Sequence, residues 1–238
     1  MFIRGSLLSL VAMASSLFAG SPIPSTSTYL GDAKNVTVTG RNGDDPSGGG
    51  GSFNGTISGF STTFWCVDSQ LHFSYNSGAL ANVYTLDQIA ANPAKVRYAG
   101  VTQTDSPRWT NNGTGNLNAQ SLNDFSSFAS FNTATQRYQA AAWLITQYNF
   151  NTANQPQTGI DNNNTMVNPG LIYSFAVTNS QRNADVQKTI WSLMHNTTPG
   201  ADASGVDDGV KVWLDAAYAN YNSVDMKKWA VVSWTVNA

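Results

Sequence analysis

At 238 residues the chain has room for one domain, or at most two with ~150 residues as a soft measure of each. Hydrophobic residues make up 41%, and Trp, Tyr and Phe number 7, 9 and 11, so a packed core is available and wholesale disorder is excluded. Charged residues are only 11%, with Lys+Arg 12 against Asp+Glu 14, which excludes a basic nucleic-acid footprint, a charge-laced coiled coil and an acidic tail.

The chain opens on a short basic segment, Met1-Phe2-Ile3-Arg4, followed by an apolar stretch from Leu7 to Ala19 and the small residues Ala19-Gly20-Ser21. That is the pattern of a secretory signal peptide, and the apolar run is shorter than the ~20 residues of a spanning helix. Residues 1–19 are therefore expected to be a leader. Residues 20–238 are expected to be one secreted or cell-surface domain with no spanning membrane segment. A polar surface built from 25 Asn, 25 Ser and 23 Thr rather than from charge accords with secretion.

Residues 25–60 are rich in Thr, Gly and Val, and the alternation Val36-Thr37-Val38-Thr39 predicts strands. Asn42 to Ser52 (NGDDPSGGGGS) predicts a flexible loop between two strands, because no core pattern can sit on it. A strand-like run leads from Thr56 through Phe64-Trp65-Cys66-Val67, and a short one follows at Leu71-His72-Phe73. Leu86 to Ala91 predicts a short helix, and residues 102–118 a loop. Arg137 to Tyr148 predicts a helix with Tyr138, Ala141, Ala142 and Ile145 along one stripe. After a loop from Asn149 to Pro169, a helix is expected from about Ala184 to His195, capped by Asn183 and ended by Thr197-Thr198-Pro199-Gly200. A third helix is expected from about Val206 to Tyr221, with Val210, Trp213, Leu214, Ala217 and Tyr221 on one face. Trp229 to Val236 predicts a last strand. Strands, then helices, then a strand imply an α+β domain. The expected architecture is an antiparallel β-sandwich or barrel packed against a small helical subdomain.

Few residues can carry chemistry. His72, His195 and Cys66 have no metal-ligand spacing, and Asp44-Asp45 and Asp207-Asp208 lack the pattern of a calcium loop, so no metal or other cofactor is expected. Gly48 to Gly51 is not followed by the Lys-Ser/Thr of a phosphate loop, and no G-x-S-x-G elbow occurs. Cys66 is the only cysteine, so no internal disulfide can form. It is either an inert buried thiol or a reactive one. A Cys66–His72 or Cys66–His195 hydrolase dyad is conceivable, but no cysteine-peptidase signature surrounds Cys66. Gln187 lies in line with Ile190, Trp191 and Met194 on its helix, and a buried amide there needs hydrogen bonds. It either satisfies nearby backbone, or its amide carbon is the reacting atom. Gln139 is a decoy, since both glutamines precede a Trp by four residues.

Phe64-Trp65-Cys66-Val67-Asp68 resembles the aromatic–Cys–aliphatic–acidic motif of bacterial thioester domains, and Val186-Gln187-Lys188-Thr189-Ile190-Trp191 resembles their aliphatic–Gln–x–Ala–Ile/Val–Trp motif. Thr189 stands where the family usually has Ala. The Ala-rich helix around Tyr138 also resembles the helix preceding the Gln motif. The resemblance covers most of the chain in element order, with two specific motifs. It implies an internal Cys66–Gln187 thioester that couples to an amine, typically a Lys on a partner, in an adhesion or matrix-attachment module. It implies a single-turnover binding domain rather than an enzyme. Trp191, Trp65, Asp68 and His72 are the supporting residues it suggests, the tryptophans by excluding water and Asp68 or His72 by relaying the thiol proton. Gln187 in the first turn of its helix would have free backbone N–H groups and the positive dipole end nearby. Secreted Gram-negative proteins with similar motifs often end in a Pro-Glu-Pro tail. This sequence stops at Asn237-Ala238, which suggests a fragment or a freely secreted form. The alternative is a non-covalent carbohydrate- or protein-binding surface domain with the same fold and an inert Cys66.

Overall fold

The computed structural model describes residues 11–15, 23, 26–41, 51–67, 75–97, 99, 131, 133–147, 179–195 and 208–234. Six antiparallel strands form one sheet: β1 (Val11–Ser15), β2 (Gly31–Arg41), β3 (Ser52–Ile57), β4 (Phe60–Cys66), β5 (Gly78–Thr85) and β6 (Trp229–Trp234). Their order is β1-β4-β3-β2-β5-β6, and β1 pairs with both β4 and β6, which closes the curled sheet into a barrel. Of the two expected β architectures, the described strands form one closed sheet and not two facing sheets.

β1 falls inside the stretch that reads as a leader. Its backbone sets Ala12 opposite both Cys66 of β4 and Val232 of β6. Without residues 1–19 the sheet is the five-stranded half-barrel β4-β3-β2-β5-β6, and β4 and β6 become its edges.

The run expected as one strand from Thr56 through Val67 is instead a hairpin. Ser58 and Gly59 both have positive φ, 49° and 86°, and join Ile57 to its partner Phe60. Two consecutive positive φ values match the right-handed twist of the flanking strands. At the other end of the same pair Trp65 faces Ser52.

The strands alternate between two cores. Val36, Val38, Phe53, Phe64, Cys66, Val83 and Val232 face into the barrel. Trp65, Val67 and Val231 face outward, under the helices. These helices are α1 (Ala134–Ile145), α2 (Asn179–His195) and α3 (Asp208–Asn220). Each packs on the other two, and Trp143 of α1 meets Trp213 of α3 with ring centroids 6.4 Å apart.

α1 begins at Ala134, three residues before the expected start. The Thr133 hydroxyl accepts from the Gln136 backbone N–H, and the Gln136 side-chain oxygen accepts in return from the Thr133 backbone N–H. This reciprocal cap fixes the start. α1 is also buried all round rather than along a stripe, with Arg137, Gln139, Ala140, Trp143 and Leu144 as covered as the predicted face. A helix enclosed on every side carries no single apolar face to read. α3 ends at Asn220, and the predicted terminal Tyr221 opens a 3₁₀ turn. On it Trp213, Leu214 and Ala217 are fully buried, as their spacing predicts. Leu86–Ala91 is a single 3₁₀ helix with the expected bounds. No helix among the described residues is long and apolar enough to cross a membrane. The expected strand at 71–73 and the loops at 102–118 and 149–169 lie outside the described residues, as does the turn at 197–200.

Candidate functional site

β4 brings Cys66 to its C-terminal end, where the side chain is 4% exposed and joins the interior cluster with Phe64, two residues earlier on the same face. Trp65, between them, points the other way and meets Trp229 of β6 with ring centroids 6.0 Å apart. The period-two alternation of a strand dictates this split.

Gln187 comes from α2, 1% exposed among buried Val186, Thr189, Ile190 and Met194. Its carboxamide lies at the end of the β3–β4 ladder. The Gly51 backbone N–H donates to Gln187 Oε1 at 2.8 Å. Gln187 Nε2 donates to the Cys66 carbonyl oxygen, also at 2.8 Å. The two partners settle which way the amide faces, because a backbone N–H can only donate and a carbonyl can only accept.

Gly51 and Cys66 sit one step beyond the Ser52–Trp65 pair. The Cys66 N–H donates to the Gly51 carbonyl at a long 3.4 Å. In an ordinary hydrogen-bonded rung the Gly51 N–H would return a bond to the Cys66 carbonyl. Here the Gln187 amide is inserted into that return bond, accepting from one residue and donating to the other. Gly51 adopts φ +88°, a conformation that side chains with a Cβ rarely take. Residues 42–50 of the predicted loop lie outside the described residues, while Gly51 is buried at the site and Ser52 opens β3.

α2 starts at Asn179, so Gln187 is the ninth of its seventeen residues and not in the first turn. The N-terminal backbone donors and dipole end expected beside it are two turns away. The polar run Asn179-Ser180-Gln181-Arg182-Asn183 concealed those turns, and Asn183, the expected cap, is a buried helical residue. The donor to the Gln187 carbonyl oxygen is supplied by Gly51 instead.

Among the supporting residues, Trp191 follows Gln187 by one turn and is partly buried. Its indole Nε1 is enclosed and has no hydrogen-bond partner among the described residues. Thr189, in the position usually held by Ala, is fully buried, and its hydroxyl donates to the Asp185 carbonyl at 2.7 Å. That bond one turn back satisfies the extra polar group. Gln139 is buried on α1, and no hydrogen bond given by the structure joins it to Cys66. Asp68 and His72 lie outside the described residues, as does the His195 side chain.

A second polar cluster, unsignalled by the sequence, sits where β2 meets β5. Asp32 accepts from the Tyr84 hydroxyl at 2.6 Å and from Lys95 Nζ at 2.9 Å. The Tyr84 and Lys95 hydrogen bonds hold the Asp32 carboxyl below its usual range. Burial, and then the Asp32 hydrogen bond, push the Tyr84 phenol up to about 12. These partners are 52 and 63 residues from Asp32, too far apart in sequence to be read as a motif. The cluster anchors a β-bulge, where register shifts between Gly31 and Lys34 and Ala33 takes φ +52°.

No family model, curated protein or solved structure matches the chain. The fold and the Cys66–Gln187 contact are thus the basis for a functional reading.

Proposed function

We propose that this is a secreted or surface-exposed thioester domain that captures amine-bearing partners covalently. In the proposed reaction the Cys66 sulfur attacks the Gln187 amide carbon and an S–C bond forms. The C–N bond breaks, the thiol proton passes to nitrogen, and ammonia leaves. A partner amine, such as a Lys, then attacks the thioester carbon and releases the Cys66 thiol. Each molecule reacts once. The resemblance of the two motifs suggests this chemistry. The observation that carries it is the buried hydrogen bond of the Gln187 amide to the Cys66 backbone carbonyl, at 2.8 Å.

Several features support the reading. An amide is a poor electrophile, so fixed proximity has to lower the barrier, and well-oriented groups reach effective molarities of ~10⁵ M or more. The pair is enclosed at low exposure, which limits hydrolysis of a thioester.

A second reading rests on the same two hydrogen bonds. They satisfy the Gln187 amide fully enough for a structural role, and Cys66 is part of an apolar cluster suited to an inert thiol. The protein would then be a non-covalent binding surface. Intact mass of the purified protein separates the two. The thioester gives the mass of the chain less one ammonia and a thiol that stays masked after unfolding in acid. The unmodified mass with a free thiol overturns the covalent reading.

A further inference from the structure

Building on the thioester reading, we propose that the opened rung between Gly51 and Cys66 is itself the catalytic machinery. The Gly51 N–H is the oxyanion donor, and the Cys66 carbonyl is the acceptor that holds the leaving nitrogen and selects primary amines.

The roles follow from atom positions. As sulfur adds, the C–O double bond becomes single and charge collects on Gln187 Oε1. The Gly51 N–H is already 2.8 Å from that atom. It is a backbone donor fixed by β3 and surrounded by protein, so little reorganisation accompanies charge development. Gly51 has a positive φ where its N–H bonds the amide in place of an ordinary rung partner. On the nitrogen side, Nε2 donates one hydrogen to the Cys66 carbonyl at 2.8 Å. When the thiol proton reaches nitrogen and the C–N bond breaks, ammonia departs from that same acceptor.

The second step passes through the same positions in reverse. An incoming amine nitrogen takes the place that ammonia left, beside the Cys66 carbonyl. A primary amine yields a secondary amide, which still has one N–H for that carbonyl. A secondary amine yields a tertiary amide with none, and the buried hydrogen bond that Nε2 makes to that carbonyl is lost. Water and alcohols yield products that lose this donor once ionised or esterified. The acceptor thus favours lysine-type amines over other nucleophiles.

The lone cysteine makes the test accessible, because a synthetic segment ending at Trp65 can be ligated to the segment that begins with Cys66. One ligated protein carries glycolic acid in place of Gly51, so that an ester oxygen replaces the N–H, and a control carries D-alanine, which keeps both N–H and positive φ. Folding is checked by circular dichroism, and ammonia loss is followed by intact mass. The glycolyl protein should form the thioester ~10²–10³-fold more slowly than the unaltered chain, and the D-alanine protein at close to the unaltered rate. Equal rates for the glycolyl and unaltered proteins overturn the oxyanion role while leaving the thioester intact. No ammonia loss in the unaltered protein overturns the thioester reading as well.

If the glycolyl protein does not fold, amine selectivity decides. The unaltered thioester should prefer methylamine to dimethylamine at least ~10-fold more strongly than a free small-molecule thioester does, the effect of one lost buried hydrogen bond. The same preference on and off the protein overturns the selecting role of the Cys66 carbonyl.

Discussion

Gln187 and Cys66 are 121 residues apart in sequence, yet the side-chain amide of one completes the backbone hydrogen bonding of the other. α2 is held over the end of the β3–β4 ladder by this bond as well as by apolar packing. The contact has a structural part and a proposed chemical part, and substitutions separate them.

Gln187→Ala removes the amide from between Gly51 and Cys66 and leaves a buried N–H and a buried carbonyl without it. Each such loss costs ~1–3 kcal/mol, so in a Cys66→Ala background, where the amide is kept and no thioester can form, denaturant unfolding should show a stability loss of about 2–6 kcal/mol. With Cys66 present, its thiol should react with a thiol reagent after denaturation of Gln187→Ala. Gln139→Ala should leave the thiol masked. A masked thiol in Gln187→Ala and a free one in Gln139→Ala would assign the chemistry to Gln139 instead.

A small primary amine should add once, at Gln187, and free the Cys66 thiol in the same event. The rate should rise with pH as more of the attacking amine is deprotonated, an unperturbed Lys titrating near ~10.4. Cys66→Ala should not react, because an ordinary amide lacks a thiolate leaving group. Peptide mapping after amine treatment locates the adduct, and an adduct that persists in Cys66→Ala rules the mechanism out.

Gly55 tests the interior beneath Cys66. A Cβ there would run into the Thr37 carbonyl oxygen and come within 2.7 Å of Phe64 Cε2. Gly55→Ala should destabilise by roughly 1–3 kcal/mol, the usual cost of overpacking. Because Phe64 shares the inward face of β4 with Cys66, the variant should also form its thioester more slowly, as read by intact mass. An unchanged melting temperature would mean that β2 and β3 can separate without loss.

Tyr84 and Asp32 give a pH signature remote from the site. Asp32 titrates below its usual range when folded, so its contribution is present above the unfolded carboxyl range and is lost as pH falls through the folded value. Tyr84 titrates at about 12 when folded, above its usual 10.0, so its contribution holds below about 10 and fades as pH rises towards about 12. Tyr84→Phe removes the larger influence on Asp32 and should move that carboxyl back up, measurable by NMR titration. A carboxyl that stays equally low would mean that Lys95 alone holds it down.

Sequence periodicity was informative wherever a side chain answers to one neighbour on each face. The alternation at Val36-Thr37-Val38-Thr39 lies within β2, and the stripe of Trp213, Leu214 and Ala217 is the buried face of α3. It failed where context overrides pattern. The Ser58-Gly59 turn interrupts a run of strand-forming residues, and only its two positive φ values reveal it. The first two turns of α2 are polar, which displaced the expected start and with it the expected donor to Gln187. Gln187 itself stood out, as an amide on an apolar stripe. Gly51 did not, because its part at the site is played by a backbone N–H, and a backbone atom leaves no residue-type signature.

A Cys66–Gln187 bond would also act on the unfolded chain. It would close a loop of 121 residues holding β5 and α1, in a protein that can make no disulfide. A covalent loop of that size lowers the entropy of the unfolded ensemble by an amount worth about 5 kcal/mol in the chain-entropy treatment of cross-links. Capture of an amine would cut this cross-link at the moment it attaches the partner. The armed domain would hold a closed covalent ring and the spent one none, so every capture event would leave behind a molecule easier to unfold and easier for a protease to remove.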